Sequence, residues 1–366
     1  MYKILISGYY GFNNIGDESI LRTVIDNLRE KLPDVDITVL SQDPAQTREK
    51  YGVEAARRMH LWDIFRSVRR CDLLLSGGGS LLQDATSGRS ILYYLFILRL
   101  AQLLGKQTFI YSQGIGPITA TRNRRLTASV LRRADGIVVR DARSRDLLLE
   151  IGVPEKLLHV TADPVIRVKK AELELGRKIL AQEGCPRDEA RLTVGWAVKA
   201  RKPDKPFLRE VERCILWLRE EFGADSVLIP FFHDEDVCVC QTVAEHLDGR
   251  AGCLRQKYLS EETLSIIGCM DVLVGVRLHS LIYAAVMGVP MIGVSYDPKV
   301  DSFLSSIQRP TQFTVENFSL EGFQAAFRET LAAREEIQET TARCLDGLIS
   351  KLDQNEELIR AIMERS

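Results

Sequence analysis

Apolar runs of strand length recur along this chain, each ending in a glycine-rich or polar turn that leads into a helical period. Lys3–Ser7 runs into Gly8-Tyr-Tyr-Gly11-Phe-Asn13-Asn14-Ile-Gly16-Asp17-Glu18 and then a helix through Leu32. Asp36–Leu40 is a second run, and Asp72–Ser76 a third, closed by Gly77-Gly78-Gly79-Ser80 ahead of an apolar helix at 91–104. Thr108–Ser112 precedes Gln113-Gly114-Ile115-Gly116-Pro117, and Gly136–Val139 precedes Arg140-Asp141 and a helix to Glu150. Such alternation calls for parallel βαβ units with helices on both faces of the sheet.

The rhythm stops near Asp163-Pro164, passes through a charged helical stretch at 171–183, and restarts. The second set is Leu192–Val198, Ser226–Phe232, Asp271–Val276 and Val289–Tyr296. A chain of 366 residues also exceeds what one core usually supports. The expectation is an α/β protein of two Rossmann-like domains, 1–168 and 169–318, with a helical segment at 319–366 and a cleft between the domains. Open parallel sheets bind ligands beyond the carboxyl ends of their strands, so the post-strand segments are the candidate site.

A net charge of −1 gives no global attraction to nucleic acid, and any anion site must be a local cluster of cations. The eight cysteines include no Cys-x-x-Cys pair and no zinc spacing, and they read as reduced thiols with no metal. The N-terminus reads as a first strand rather than a signal peptide. The apolar stretch Ile91–Leu104 is too short to span a bilayer and carries Arg99. The expected location is cytoplasmic.

Arg277 leaves the run Asp271–Val276, and His279 opens the helix Leu278–Met287, closed by Gly288. An imidazole two residues after a guanidinium, beside a helix N-terminus, suits an anion with a proton donor next to it. Lys299 leaves the next strand of the same pattern behind Asp297-Pro298. A lone histidine is more often a cap or a packed side chain, and a lone lysine a solvated one. Three cationic groups at matched strand ends favour the functional reading. Arg140 is the parallel case in the first domain, with a structural pairing to Asp141 as the alternative.

Gly77-Gly78-Gly79-Ser80-Leu81-Leu82 fails the dinucleotide fingerprint at Leu82, and Gly11-x-x-x-x-Gly16 is followed by Asp17 where a phosphate loop needs lysine. What remains is close backbone approach to a ligand, with Asn13, Asn14, Asp17, Gly78, Gly79, Ser80, Gln83 and Asp84 supplying contacts suited to sugar hydroxyls. Asp17 reads equally well as a helix cap. Lys199, Arg201, Lys202, Lys205 and the run His233-Asp234-Glu235-Asp236 also fall at strand ends, and rank lower as solvated charge. Arg122, Arg124, Arg125, Arg132 and Arg133 form a basic patch near the apolar helix. They are either a solvated face or a peripheral contact with the cytoplasmic face of a membrane.

The opening Gly8–Glu18, the loop Ser76–Asp84 and the turn Arg277-Leu278-His279-Ser280, followed by Asp297-Pro298-Lys299, resemble the polysaccharide pyruvyl transferase family, over residues 1 to 300. The spacing is similar to the bacterial branch that pyruvylates secondary cell-wall polymers for S-layer anchoring. The resemblance implies a fold similar to GT-B glycosyltransferases, phosphoenolpyruvate as donor substrate and no cofactor. It also implies a lipid-diphosphate-linked saccharide as acceptor, with N-acetylmannosamine closed into a 4,6-ketal. It maps donor-site residues onto His279, read as catalytic, and Lys299, with Arg140 matching an expected first-domain arginine; Arg277 joins them on the phosphoenolpyruvate from its strand-end position. The competing readings are a glycosyltransferase using a nucleotide sugar and a non-catalytic glycan- or anion-binding protein. Oligomeric state is open.

Overall fold

The computed structural model describes residues 1–32, 34–85, 89–185, 187–199 and 205–365. The chain forms two compact units, one of Met1–Arg167 with Leu348–Ser366 and one of Val168–Gly347.

The first unit is a seven-stranded parallel sheet. Its strands are β1 (Tyr2–Ser7), β2 (Val35–Ser41), β3 (Glu54–Arg57), β4 (Leu73–Gly77), β5 (Gln107–Gln113), β6 (Gly136–Val139) and β7 (Leu158–Val160), in the order β3-β2-β1-β4-β5-β6-β7. The central strands are apolar at successive positions because helices cover both faces, and Leu5 of β1 pairs with Thr38 on one side and Leu74 on the other. The connecting helices are α1 (Ile15–Lys31), α2 (Pro44–Tyr51), α3 (Leu61–Arg70), α4 (Ser90–Leu103), α5 (Thr121–Leu131) and α6 (Ala142–Glu150). Strand order reverses between β1 and β4, so the loops Gly8–Asn14 and Gly77–Ser80 flank a topological switch point, where such sheets open a crevice.

The second unit repeats the plan. Its strands β8 (Thr193–Ala197), β9 (Asp225–Leu228), β10 (Gly252–Cys253), β11 (Val272–Gly275), β12 (Met291–Ser295) and β13 (Phe313–Thr314) lie in the order β10-β9-β8-β11-β12-β13. The reversal here is between β8 and β11. The helices are α7 (Leu173–Gln182), α8 (Lys205–Phe222), α9 (His233–His246), α10 (Ser260–Gly268), α11 (Leu278–Met287), α12 (Pro298–Ser306), α13 (Leu320–Ala332) and α14 (Arg334–Met363). Gly288 ends α11 in the left-handed conformation, φ 74°, as its place in the sequence requires.

The expected strands are present, and four short ones were not anticipated. β3 reads Glu-Ala-Ala-Arg and is a half-exposed edge, β10 and β13 have two residues each, and β7 has three, so none carries an apolar run. The tail also differs from expectation. Residues 319–347 belong to the second unit, whereas 348–366 pack on the first. The reason is a buried polar seam: Asn355 donates to Ser112 at 2.8 Å, Arg167 donates to Glu356 at 3.0 Å, and Tyr111 donates to the same carboxylate. Glu356 is almost wholly buried, and such a charge is retained only where it is paired.

Candidate functional site

In the second unit, four strand ends bring together Lys199 after β8, Glu235 and Asp236 after β9, Arg277 and His279 after β11, and Tyr296, Asp297 and Lys299 after β12. Lys199 and Arg277 stand on either side of the switch point. The tyrosine is the centre of the group: Lys199 Nζ lies 4.7 Å from the Tyr296 ring centroid and Lys299 Nζ lies 5.4 Å from it. Arg277 is the N-cap of α11, and His279 follows in its first turn, where backbone N–H groups point outward.

The structure shows how Arg277 is held, which the sequence did not. Its Nε and Nη2 donate to the two oxygens of Asp236 at 3.1 and 2.5 Å, and Nη2 also reaches Glu235 at 3.0 Å. Asp236 is in turn fixed by the Phe232 N–H at 2.8 Å. Burial alone would lower the pKa of Arg277; the charge and hydrogen bonds of Asp236 outweigh it and raise it. The acidic run read from sequence as solvated charge is therefore the clamp that orients this guanidinium.

Lys299 pairs with Asp297 at 3.4 Å, and Asp297 caps α12 by accepting from the Lys299 N–H at 3.1 Å. Lys199 is different. Among the described residues, no carboxylate lies at ion-pair distance from it, and its pKa is pushed down by burial first and then by the charges of Arg277 and Lys299. A cation held in that way is stabilised by an incoming anion. Sequence ranking placed Lys199 below the others because β8 ends in a charge run. Its neighbours Arg201 and Lys202, and the side chain of Lys205, lie outside the described residues.

In the first unit, Arg140 follows β6 but is 6% exposed at its side chain. Nη1 donates to Asp163 at 3.1 Å, Nη2 donates to the Ser80 hydroxyl at 3.0 Å, and Nε stands 3.5 Å from Asp141. The seat depends on Gly114, where a Cβ would come within 2.6 Å of the guanidinium. The expected first-domain anion ligand is thus occupied by two carboxylates and a hydroxyl.

The glycine loops meet at the other switch point. Tyr10 is fully buried and donates to Gly77 O at 2.7 Å, and its ring leaves no room for a Cβ at Gly8 or Gly78. Gly78 and Gly79 adopt φ of 98° and 47°. A Cβ on Gly79 would approach Asp17 Oδ1 to 2.7 Å. The run of glycines therefore has a packing cause as well as an open backbone. Asn14, not Asp17, caps α1, its Oδ1 accepting from Gly16 N at 3.1 Å; Asp17 lies in the first turn beside Gly79 and Tyr10. Asn13 holds a left-handed φ of 58° between them. Gln83 accepts from the Ala85 N–H at 2.8 Å.

Asp84 departs from its expected role. It accepts from the Thr119 and Ala120 N–H groups at 2.8 and 3.0 Å, from the Thr119 hydroxyl at 3.0 Å and from Asn123 Nδ2 at 3.0 Å. Burial would raise its pKa, but these donors outweigh it and hold it at about 2. Four donors saturate the carboxylate, so Asp84 pins the segment that leads into α5, and a sugar hydroxyl finds no acceptor there.

Two features of this loop had no sequence signal. Glu18 is buried and bonded to Gly11 N at 2.9 Å and to the Tyr51 hydroxyl, which ties the loop to α2. Arg58 is 6% exposed and sits between the rings of Tyr9, Phe12, Tyr93 and Tyr94, with its centre 4.9 to 5.7 Å from each. Cation–π pairs link residues far apart in the chain, so periodicity cannot reveal them.

Two parallel Rossmann-like sheets, each with its polar residues at a switch point, define the GT-B class of α/β fold. Solved structures agree in fold. HepE of Anabaena, in a complex with UDP-glucose, has a TM-score of 0.65 at 10% identity over 100% of both chains. A UDP-N-acetylglucosamine 2-epimerase from Neisseria meningitidis has 0.64 at 13%, also over 100% of both. A glycosyltransferase from Rickettsia africae has 0.67 at 12%, covering 100% of this chain and 99% of that one. The sequence profile of the polysaccharide pyruvyl transferase family matches residues 14–298, and the chain belongs to that family. A curated relative, the amylovoran biosynthesis protein AmsJ of Erwinia amylovora, is 20% identical over 94% of this chain and 95% of its own length. The protein is accordingly a transferase of pyruvyl groups in polysaccharide biosynthesis.

Proposed function

We propose that the donor is phosphoenolpyruvate, bound at the β8, β11 and β12 strand ends, and that the acceptor is a cell-wall saccharide carried on a lipid diphosphate. The observation that carries this is the convergence of Lys199 and Lys299 on Tyr296, with Arg277 close enough to feel the same tyrosine and His279 in the adjoining helix turn. Phosphoenolpyruvate has a phosphate and a carboxylate, and it calls for several cations with one of them planar. Asp236 orients Arg277, while Lys199 supplies charge with no carboxylate at ion-pair distance among the described residues.

In this scheme His279 delivers a proton to the methylene carbon, which makes C2 electrophilic. One sugar hydroxyl adds at C2 and returns its proton to the imidazole, phosphate leaves with the C–O electron pair, and a second hydroxyl closes the cyclic ketal at the same carbon, giving its proton to the released phosphate. The cations stabilise the departing phosphate by fixed charge. No metal or cofactor takes part. Arg140 is assigned to holding Ser80, and Asn13, Asp17 and Gly79 to the acceptor side. N-acetylmannosamine and the 4,6 position are the acceptor details that the family branch favours.

The test is phosphate release and product NMR with phosphoenolpyruvate and a lipid-diphosphate disaccharide analogue, run beside UDP-sugars. A pyruvyl ketal formed with stoichiometric phosphate supports the reading. Transfer only from a nucleotide sugar overturns it in favour of a glycosyltransferase, and binding without turnover on any acceptor overturns it in favour of a binding protein.

A further inference from the structure

Helices α3, α4 and α5 lie side by side on one face of the first sheet, packed on a shared apolar cluster that includes Val68, Leu98 and Leu131. Their outward side has an unusual composition. Met59, Leu61 and Trp62, at the start of α3, are 70, 70 and 65% exposed, and Phe96 and Leu103 on α4 are 47 and 67% exposed. Five of the nine large hydrophobic side chains exposed among the described residues are therefore on this one face. Isolated exposed apolar residues need no cause, but Met59, Leu61 and Trp62 form a group at one helix start, and such a group marks a contact surface.

Charge supplies the second observation. The three helices carry three arginines on α3, one on α4 and three on α5, against a single acid, Asp63, which Arg57 already pairs at 2.6 Å. Even with Arg124 paired to Glu150, these helices keep an excess of positive charge in a chain whose net charge is −1. On α3 the exposed Trp62, Arg66, Arg69 and Arg70 occupy the side away from the buried Ile64 and Val68, and Leu61 is exposed at the helix start. Tryptophan and arginine together on one side of a short helix suit a water–lipid boundary, where the ring sits at headgroup depth and the guanidinium meets phosphate. A second copy of the same face is disfavoured, because it would place arginine against arginine.

We propose that the α3–α5 face docks on an anionic lipid bilayer, with Met59, Leu61 and Trp62 entering the headgroup region and Arg66, Arg69 and Arg70 paired to lipid phosphates. This puts the inserting side chains at the start of α3, ahead of the basic segment 122–133 where the contact was expected. There Arg124 is paired with Glu150 and Arg132 donates to Gly152 O, and Leu126 is the one exposed apolar side chain. Among the described residues no helix is long and apolar enough to cross a membrane, so the attachment is peripheral. The inference goes beyond the pyruvyl reading and stands without it.

The experiment is sedimentation of the full chain with vesicles of phosphatidylcholine, with and without phosphatidylglycerol, at low and high salt and with no substrate present. Binding is expected only with phosphatidylglycerol, and salt should release it. Each lipid-facing arginine contributes about fivefold, so the combined Arg66→Gln, Arg69→Gln and Arg70→Gln variant should lose roughly 100-fold in partitioning. The Leu61→Ser, Trp62→Ser variant should lose binding while keeping its circular dichroism. Failure of the parent chain to sediment, or equal sedimentation of the arginine variant, overturns the proposal. So does a dimer in light scattering that the Leu61→Ser, Trp62→Ser change dissolves, since that gives the face to a second copy.

Discussion

Arg140 donates to the hydroxyl of Ser80 across 3.0 Å, which joins the end of β6 to the loop after β4 inside the first unit. Its remaining nitrogens face Asp163 and Asp141. Removing one member of a buried ion pair leaves the other charge uncompensated, typically at about 3–5 kcal/mol. Arg140→Ala should therefore lower the urea midpoint by an amount of that order. A variant of unchanged stability with a raised phosphoenolpyruvate requirement would return Arg140 to the donor site.

In the proposed reaction His279 carries the proton, and it is half-buried in the first turn of α11. His279→Ala should reduce turnover by about 10²–10⁴-fold, the usual worth of a positioned acid or base. Its thermal unfolding should match the parent protein within a degree or so, as expected for a change outside the core. Retention of near-full turnover removes the histidine from the chemistry.

Lys199 gives a pH signature. Its pKa lies below the ordinary 10.5 because of burial, Arg277 and Lys299. A bound anion favours the ammonium and raises that pKa, so binding takes up a proton once the pH exceeds the value in the free protein. Affinity for phosphoenolpyruvate should then be highest where Lys199 is already charged, and fall as the pH rises through its lowered pKa towards 10.5. Calorimetric titrations across the alkaline range measure the slope. Lys199→Arg, whose charge does not titrate there, should flatten it; the same slope in both proteins rules Lys199 out.

Asp84 should matter to stability rather than to acceptor binding. Loss of a charged acceptor that holds several donors costs about 1–3 kcal/mol. Its carboxyl is held at about 2 against an ordinary 3.8, a lowered value, so its contribution is complete above 3.8 and disappears as the pH falls through about 2. Urea titrations of Asp84→Asn and the parent should differ at neutral pH and converge in acid. A variant that unfolds like the parent at neutral pH yet has a higher acceptor KM would restore Asp84 to the acceptor site.

Legibility differed between the two units for physical reasons. In the second, Arg277 and His279 follow one fully buried apolar strand and Lys299 another, and in a parallel sheet every strand ends at the same edge. Sequence order alone therefore brings them to one rim. In the first unit the same logic led to Arg140, but whether a cation at a strand end is available depends on which carboxylates return to it. Asp163 comes from a later turn, and chain order does not reveal that distance. The same limit hid the Asp236 clamp on Arg277 and the four donors around Asp84.

The sequence by itself determined the class of fold, the two sheets and the cation-bearing rim after β8, β11 and β12, because strand and helix periods and strand-end positions are local properties. Tertiary structure decided which of those charges are neutralised, which glycines serve Tyr10, and that residues 348–366 complete the first unit. Those outcomes depend on distances between residues far apart in the chain, set by packing and by the high cost of leaving a buried charge unpaired.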